Sequence, residues 1–212
     1  MRFYLIKTPR IIKKIFSRYT WCFSSNNPEV YLTFDDGPIP EVTEFVLEQL
    51  KKHNAKATFF CIGDNIQKHP SIFKEIIGNG HSIGNHTFNH LNGWKTTSKD
   101  YITNTLKTEE LINKFHSKNT KLFRPPYGKI KHSQTSLLLK KGYKVIMWDV
   151  LSADFDARTT KEQCAQNVLK KTKNGSIIVF HDSIKAREKL YYALPIVLEK
   201  LSKKGYSFVA MQ

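Results

Sequence analysis

Cysteine is scarce, acid is outnumbered and long apolar runs are missing. The three cysteines, Cys22, Cys61 and Cys164, lie far apart and are odd in number, which speaks against a disulfide framework and against a thiolate-built metal site. Cys61 falls within the apolar run Ala57-Thr58-Phe59-Phe60-Cys61-Ile62, the setting of a buried, inert thiol, and a reducing compartment fits. Charges interrupt every apolar run near the start of the chain, and nothing approaches the ~18 apolar residues of a spanning helix or the continuous apolar stretch of a secretory signal. The expectation is a cytoplasmic protein, or one peripheral to the inner face of the membrane. There is no internal repeat and no low-complexity tract.

Asp and Glu number 18 against 34 Lys and Arg, a net charge of +16. Such a balance suits nucleic acid, an anionic membrane face or acidic glycans. The lysines of the body are scattered through helix-like stretches as a solvated face, and no basic motif is interleaved with aromatics, so no nucleic-acid partner is expected. Six positive charges (Arg2, Lys7, Arg10, Lys13, Lys14, Arg18) fall in the first twenty residues with no acid among them. There Ile11, Ile12, Ile15, Phe16 and Tyr19 recur at helical spacing against Lys13, Lys14 and Arg18. A basic amphipathic helix of this kind either makes a peripheral contact with an anionic membrane or docks on its own domain.

With 212 residues, 40% hydrophobic and 12% aromatic, the chain fits one globular domain with a real core. We divide it into a basic N-terminal segment, 1–27, and a main domain, 28–212. From about residue 30 short apolar runs alternate with amphipathic stretches. Strands are expected at 30–34, 57–61, 82–85, 122–124, 144–148, 176–180 and 207–210. Helices are expected at 42–53, 71–78, 99–115, 133–141, 161–171 and 189–204. That alternation indicates an α/β protein with a parallel sheet, and about seven strands indicate a distorted (β/α) barrel, whose chemistry gathers at the carboxyl ends of the strands.

The unusual polar clusters fall at those ends. Asp35 and Asp36 close the first strand, and adjacent carboxylates repel unless something takes up the charge. His86 and His90 follow the third strand at i, i+4, a spacing that points both rings the same way on one helical turn. Asp36, His86 and His90 make a divalent-metal set with an open position for water; the same set suits non-haem iron. Asp35, left free beside it, tips the reading toward hydrolysis as a general base. Arg124 opens the turn Pro125-Pro126-Tyr127-Gly128, where a guanidinium would hold Asp35 ionised and oriented and the Tyr127 N–H would face a developing oxyanion. His181 ends a strand, and Asp154 is placed to raise its pKa so that it protonates a leaving amine. His53, His69, His81, His116 and His132 carry no such pattern.

These motifs, in this order, resemble the polysaccharide deacetylase family and its NodB homology domain. The matching segments are Thr33 to Gly37, His86 to His90, Arg124 to Gly128, Asp149 to Phe155 and Val179 to Asp182. The resemblance implies removal of acetyl groups from N-acetylated sugars of a poly- or oligosaccharide, with Asp35 as general base, His181 as general acid, Asp154 its charge partner and Arg124 orienting Asp35. It implies a divalent metal, zinc foremost, on Asp36, His86 and His90, and a substrate site with Tyr127, Phe155 and Val179. Phe155 stands where the family usually has Trp, Leu151 where an Asp is common and Val179 where Leu is typical, so the acetyl pocket has altered walls. A lipid-linked sugar, deacetylated or deformylated at the membrane face, is the alternative substrate, and a non-catalytic carbohydrate-binding protein the alternative class. Asp35→Asn or His181→Ala is expected to abolish acetate release while leaving the fold intact. The oligomeric state is not fixed.

Overall fold

A computed structural model describes residues 4–23, 26–116 and 121–212. Apolar, partly β-branched runs become the strands β1 (Glu29–Asp35), β2 (Ala57–Cys61), β3 (Ser82–Asn85), β4 (Lys121–Phe123), β5 (Tyr143–Val145), β6 (Val150–Leu151), β7 (Ile177–His181) and β8 (Ser207–Phe208). All five residues of β2 are buried, as a parallel strand covered on both faces requires. The helices are α1 (Arg10–Ile15), α2 (Val42–Lys52), α3 (Gly63–Lys68), α4 (Pro70–Gly78), α5 (Ser98–Phe115), α6 (His132–Lys140), α7 (Lys161–Lys171) and α8 (Arg187–Lys203). α7 starts at Thr160, whose hydroxyl accepts from the Gln163 N–H while the Gln163 side chain accepts from the Thr160 N–H, a reciprocal cap worth about 1 kcal/mol.

The sheet runs β5-β4-β3-β2-β1-β7-β6, every neighbouring pair parallel, with β8 beside the start of β1. The distorted barrel closes through one bent run. Residues 143–151 pair with β4 in their first half (Ile146 N–H to Phe123 O) and with β7 in their second (Asp149 N–H to Ile177 O). The fifth strand expected at 144–148 is therefore strand only over 144–145, in β5; the run then changes partner, and β6 forms beyond the expected range, at Val150–Leu151. The largest core cluster lies outside the sheet, where Phe34, Phe59 and Phe180 meet α2 and α8 through Val46, Leu50, Leu194 and Leu198.

The N-terminal segment covers the edges this bend leaves open. Thr20 donates to Val145 O and accepts from Met147 N–H, while Leu151 N–H donates to Ile6 O and Thr8 N–H to Asp149 O. Lys7 and Lys13 both reach the buried Asp149 carboxylate, which also accepts from Ser176 at 2.6 Å. Of the expected amphipathic face, the lysine Lys13 turns inward and Ile11 and Ile15 turn outward.

Candidate active site

Parallel pairing of β1 with β7 sets Asp35 directly opposite His181, so two titratable side chains share one end of the sheet, on strands ~4.8 Å apart. Each is held by its own partner. Arg124 Nη1 donates to Asp35 Oδ1 at 2.7 Å, and the guanidinium also donates to Thr33 Oγ1 and to the carbonyls of Ile146 and Met147. It lies fully buried, 4.1 Å above the Phe60 ring. Burial lowers its pKa while Asp35 raises it, and an arginine stays charged through such a shift. Across the gap, Asp154 accepts from the His181 backbone N–H and from its Nδ1, each at 2.8 Å. Burial pulls the His181 pKa down, but the charges of Asp154, Asp36 and Asp35 and the hydrogen bond from Nδ1 outweigh it and raise it to about 9. His181 is thus a cation at neutral pH, with Nε2–H free to give.

The second carboxylate faces the imidazoles. Asp36 Oδ1 stands 3.3 Å from His90 Nε2 and 3.8 Å from His86 Nε2, and the ligand atoms of all three residues fall within 4.8 Å of one another. His86 Nδ1 lies 2.8 Å from Arg124 O; a carbonyl only accepts, so Nδ1 carries the proton and Nε2 keeps its lone pair. Burial, with the neighbouring His90, brings His86 down to about 3, and burial lowers His90 as well. Two neutral imidazoles and a buried carboxylate oxygen with no hydrogen-bond partner fit a divalent cation: the donors converge, and the orphaned oxygen otherwise lacks a counterpart.

The pair is not on a helical turn, contrary to the spacing argument. Residues 86–92 are an irregular loop with Thr87 at φ 63° and His90 at φ 52°, so the rings converge through left-handed backbone rather than helical period. Asn85 Oδ1 caps Thr87 N–H, and Asn104 Oδ1 on α5 caps Phe88 and Asn89 N–H. Nothing in the local sequence marks Asn104; the signal is that its helix buries the polar Thr105 and Thr108.

The other expected residues fall at the same mouth. Tyr127 takes φ 60° in a 3₁₀ turn between Pro126 and Gly128, with its ring exposed and its hydroxyl 3.1 Å from His90 Nδ1. That side-chain contact was not anticipated. Phe155 meets the His181 ring edge-on at 5.2 Å, and the Tyr4 ring meets Phe155 at the same distance. Val179 is buried on β7, paired with Thr33 one layer below Asp35 and His181. Two further residues fix the loops. Lys189 on α8 donates to Asp156 O at 2.9 Å and Asp154 O at 3.3 Å. Asp182 accepts from Gly37 N–H at 3.0 Å and from the Thr43 hydroxyl at 2.6 Å, fully buried, its pKa pushed up to about 8 chiefly by burial.

Comparison with known proteins bears on this geometry. The polysaccharide deacetylase family matches over residues 24–146. A peptidoglycan-N-acetylglucosamine deacetylase of Bacillus cereus is 37% identical over 197 residues, 92% of this chain and 71% of that protein. The crystal structure of the Bc1960 peptidoglycan N-acetylglucosamine deacetylase with 4-naphthalen-1-yl-N-oxidanyl-benzamide superposes at TM-score 0.88 with 35% identity, covering 96% of this chain and 95% of that one. A mutant of a CE4 family pseudoenzyme, BA3943, with restored enzymatic activity superposes at 0.79 with 28% identity, covering 89% and 67%.

Proposed function

Because the chain belongs to the polysaccharide deacetylase family, we propose that it hydrolyses the acetamide of N-acetylglucosamine in a peptidoglycan-type glycan with the help of a divalent cation, zinc foremost. The observation that carries the reading is the register of Asp35 with His181, each locked by a buried partner of opposite charge. A base and an acid held side by side are what amide hydrolysis needs. The pseudoenzyme relative means that the scaffold alone does not carry the activity. Base, acid, both charge partners and all three donor residues are present here, which disfavours a non-catalytic, sugar-binding protein.

The division of labour follows from the contacts. Asp36, His86 and His90 would hold the cation, which when bound supplies Lewis acidity to the acetyl carbonyl and to the attacking water. Asp35 takes the water's proton, oriented by Arg124. The Tyr127 N–H faces the oxyanion of the tetrahedral intermediate, between the acetyl walls given by Phe155 and Val179. His181 then gives its Nε2 proton to the departing nitrogen, and acetate and a free amine leave. The B. cereus relative acts, by its name, on a glycan, and this favours a polymer over the lipid-linked sugar.

The test is metal content together with acetate release. Protein purified without chelator is expected to carry one divalent ion per chain and to release acetate from peptidoglycan fragments or N-acetylglucosamine oligomers. Chelation should abolish the release and added zinc restore it. Retention of full activity by demonstrably metal-free protein would overturn the cation's part, and metal-loaded protein inert on every acetylated glycan would overturn the substrate.

A second expectation concerns pH. The proton given by His181 is present below about pH 9, so the rate should fall as the pH rises through that value. Asp154 raises this pKa; Asp154→Asn should therefore move the alkaline limb to lower pH and reduce the rate at neutral pH. A limb that stays in place in this variant would assign the titration to another group.

A further inference from the structure

We propose that the outward face of α1 is a docking surface for an anionic lipid bilayer. This surface is separate from the catalytic mouth, and the proposal does not depend on the reaction. A surface helix normally turns its apolar side inward; here only Ile12 is half-buried, while Ile11 and Ile15 face water. Lys13 points in and ion-pairs with the buried Asp149, as does Lys7 just before the helix. Ile11 is 62% and Ile15 67% exposed; Phe16 just after the helix is 49% exposed, and Leu5 earlier in the segment 53%. No residue of the helix is buried.

This orientation is fixed by the fold. Segment 4–23 is bound on both sides of α1, at Ile6 and Thr8 before it and at Thr20 and Phe23 after it. The helix therefore cannot roll Ile11 and Ile15 under without breaking those bonds and the Asp149 pairs. An apolar row held out against water at this cost in solvation marks an interaction surface.

The charge around the row selects the partner. Arg10 and Lys14 lie one residue before Ile11 and Ile15, on the adjoining strip of the helix, and all four are exposed. Arg18 follows, exposed, beside His132 and Ser136. The first acid in the sequence is Glu29, and Asp149 offsets only one of the two charges on the inward lysines. Apolar side chains rimmed by cations that have no ion pair among the described residues match the acyl boundary and headgroups of an anionic leaflet. A second copy of the chain would bring the same cations face to face and is disfavoured by like-charge repulsion.

The test uses the full chain and vesicles. Phosphatidylcholine vesicles with about one third phosphatidylglycerol should pellet the protein, and phosphatidylcholine alone should not. The paired variant I11Q/I15Q should lower the partition at least ~10-fold, since two exposed isoleucines lose their burial. The paired variant R10Q/K14Q should lower it too and flatten its dependence on salt. Acetate release from a soluble oligosaccharide should be unchanged in both, which shows that they fold. Equal binding to neutral and anionic vesicles, or full binding by I11Q/I15Q, would overturn the proposal. So would a wild-type dimer in sedimentation velocity that I11Q/I15Q abolishes, because the occupant would then be a second copy.

Discussion

Asp35→Asn is expected to lower acetate release by ~10²–10⁴, the range associated with a positioned base, and to destabilise the protein as well. The second effect departs from the simple expectation of an intact, inert variant. Arg124 is fully buried and Asp35 is its only carboxylate partner among the described residues. Asparagine keeps an acceptor for Nη1 but removes the countercharge. Breaking a buried pair on one side costs about 3–5 kcal/mol; the three remaining acceptors, Thr33 and the Ile146 and Met147 carbonyls, should hold the loss near the lower figure. Thermal melting and steady-state rates measured on the same preparation separate the two effects. Arg124→Met in the Asp35→Asn background tests the cause. If the orphaned cation is what destabilises, the double variant should recover part of the stability while remaining inactive. A fully active Asp35→Asn enzyme would remove Asp35 from the mechanism.

How much of this the sequence carried depends on whether a residue's partner is local. The apolar run 57–61, the short stretch 82–85 and the amphipathic stretch 161–171 coincide with β2, β3 and α7, because local pattern decides such elements. Asp35, Arg124, Asp154 and His181 could be gathered in advance because each stands at or shortly after a strand end and a barrel brings strand ends together. The path of the chain between such points was not readable. His86 and His90 have helical spacing, but two left-handed residues make their approach, and Asn104 stabilises that loop from eighteen residues beyond His86. α3 was missed because Gly63–Lys68 is too short to show a period, with Ile66 its one buried large side chain. The outward isoleucines of α1 show the same limit: the pattern foretells an amphipathic helix, and only Asp149, drawing Lys13 inward, decides which face turns to water.

Gly37→Ala should be as damaging as the loss of a catalytic group, although Gly37 handles no proton. Gly37 follows Asp36 at the exit of β1, and a Cβ placed on it would stand 1.9 Å from Asp182 Oδ2 and 2.6 Å from Asp182 Cγ. Asp182 cannot yield easily. Its oxygens accept from Gly37 N–H and from the Thr43 hydroxyl, which in turn accepts from Ile39 N–H, and its own N–H donates to Asp35 O. If the carboxyl swings away, it is buried without partners, at a cost of about 1–3 kcal/mol or more. If the turn moves instead, it carries Asp36 away from His86 and His90. We expect a loss of about 3 kcal/mol, which for a chain of this size is ~6–12 °C in melting temperature, together with a fall in zinc affinity of at least ~10-fold. Calorimetry and a zinc titration measure the two separately. Collision with Asp182 makes a further, sharper demand. Asp182→Ala alone should destabilise, because two buried donors lose their acceptor. The double variant Gly37→Ala/Asp182→Ala should then be no less stable than Asp182→Ala, the new methyl occupying the space left by the carboxyl. Strict additivity of the two losses would place the source elsewhere, since residues that do not share a contact are the ones whose effects add.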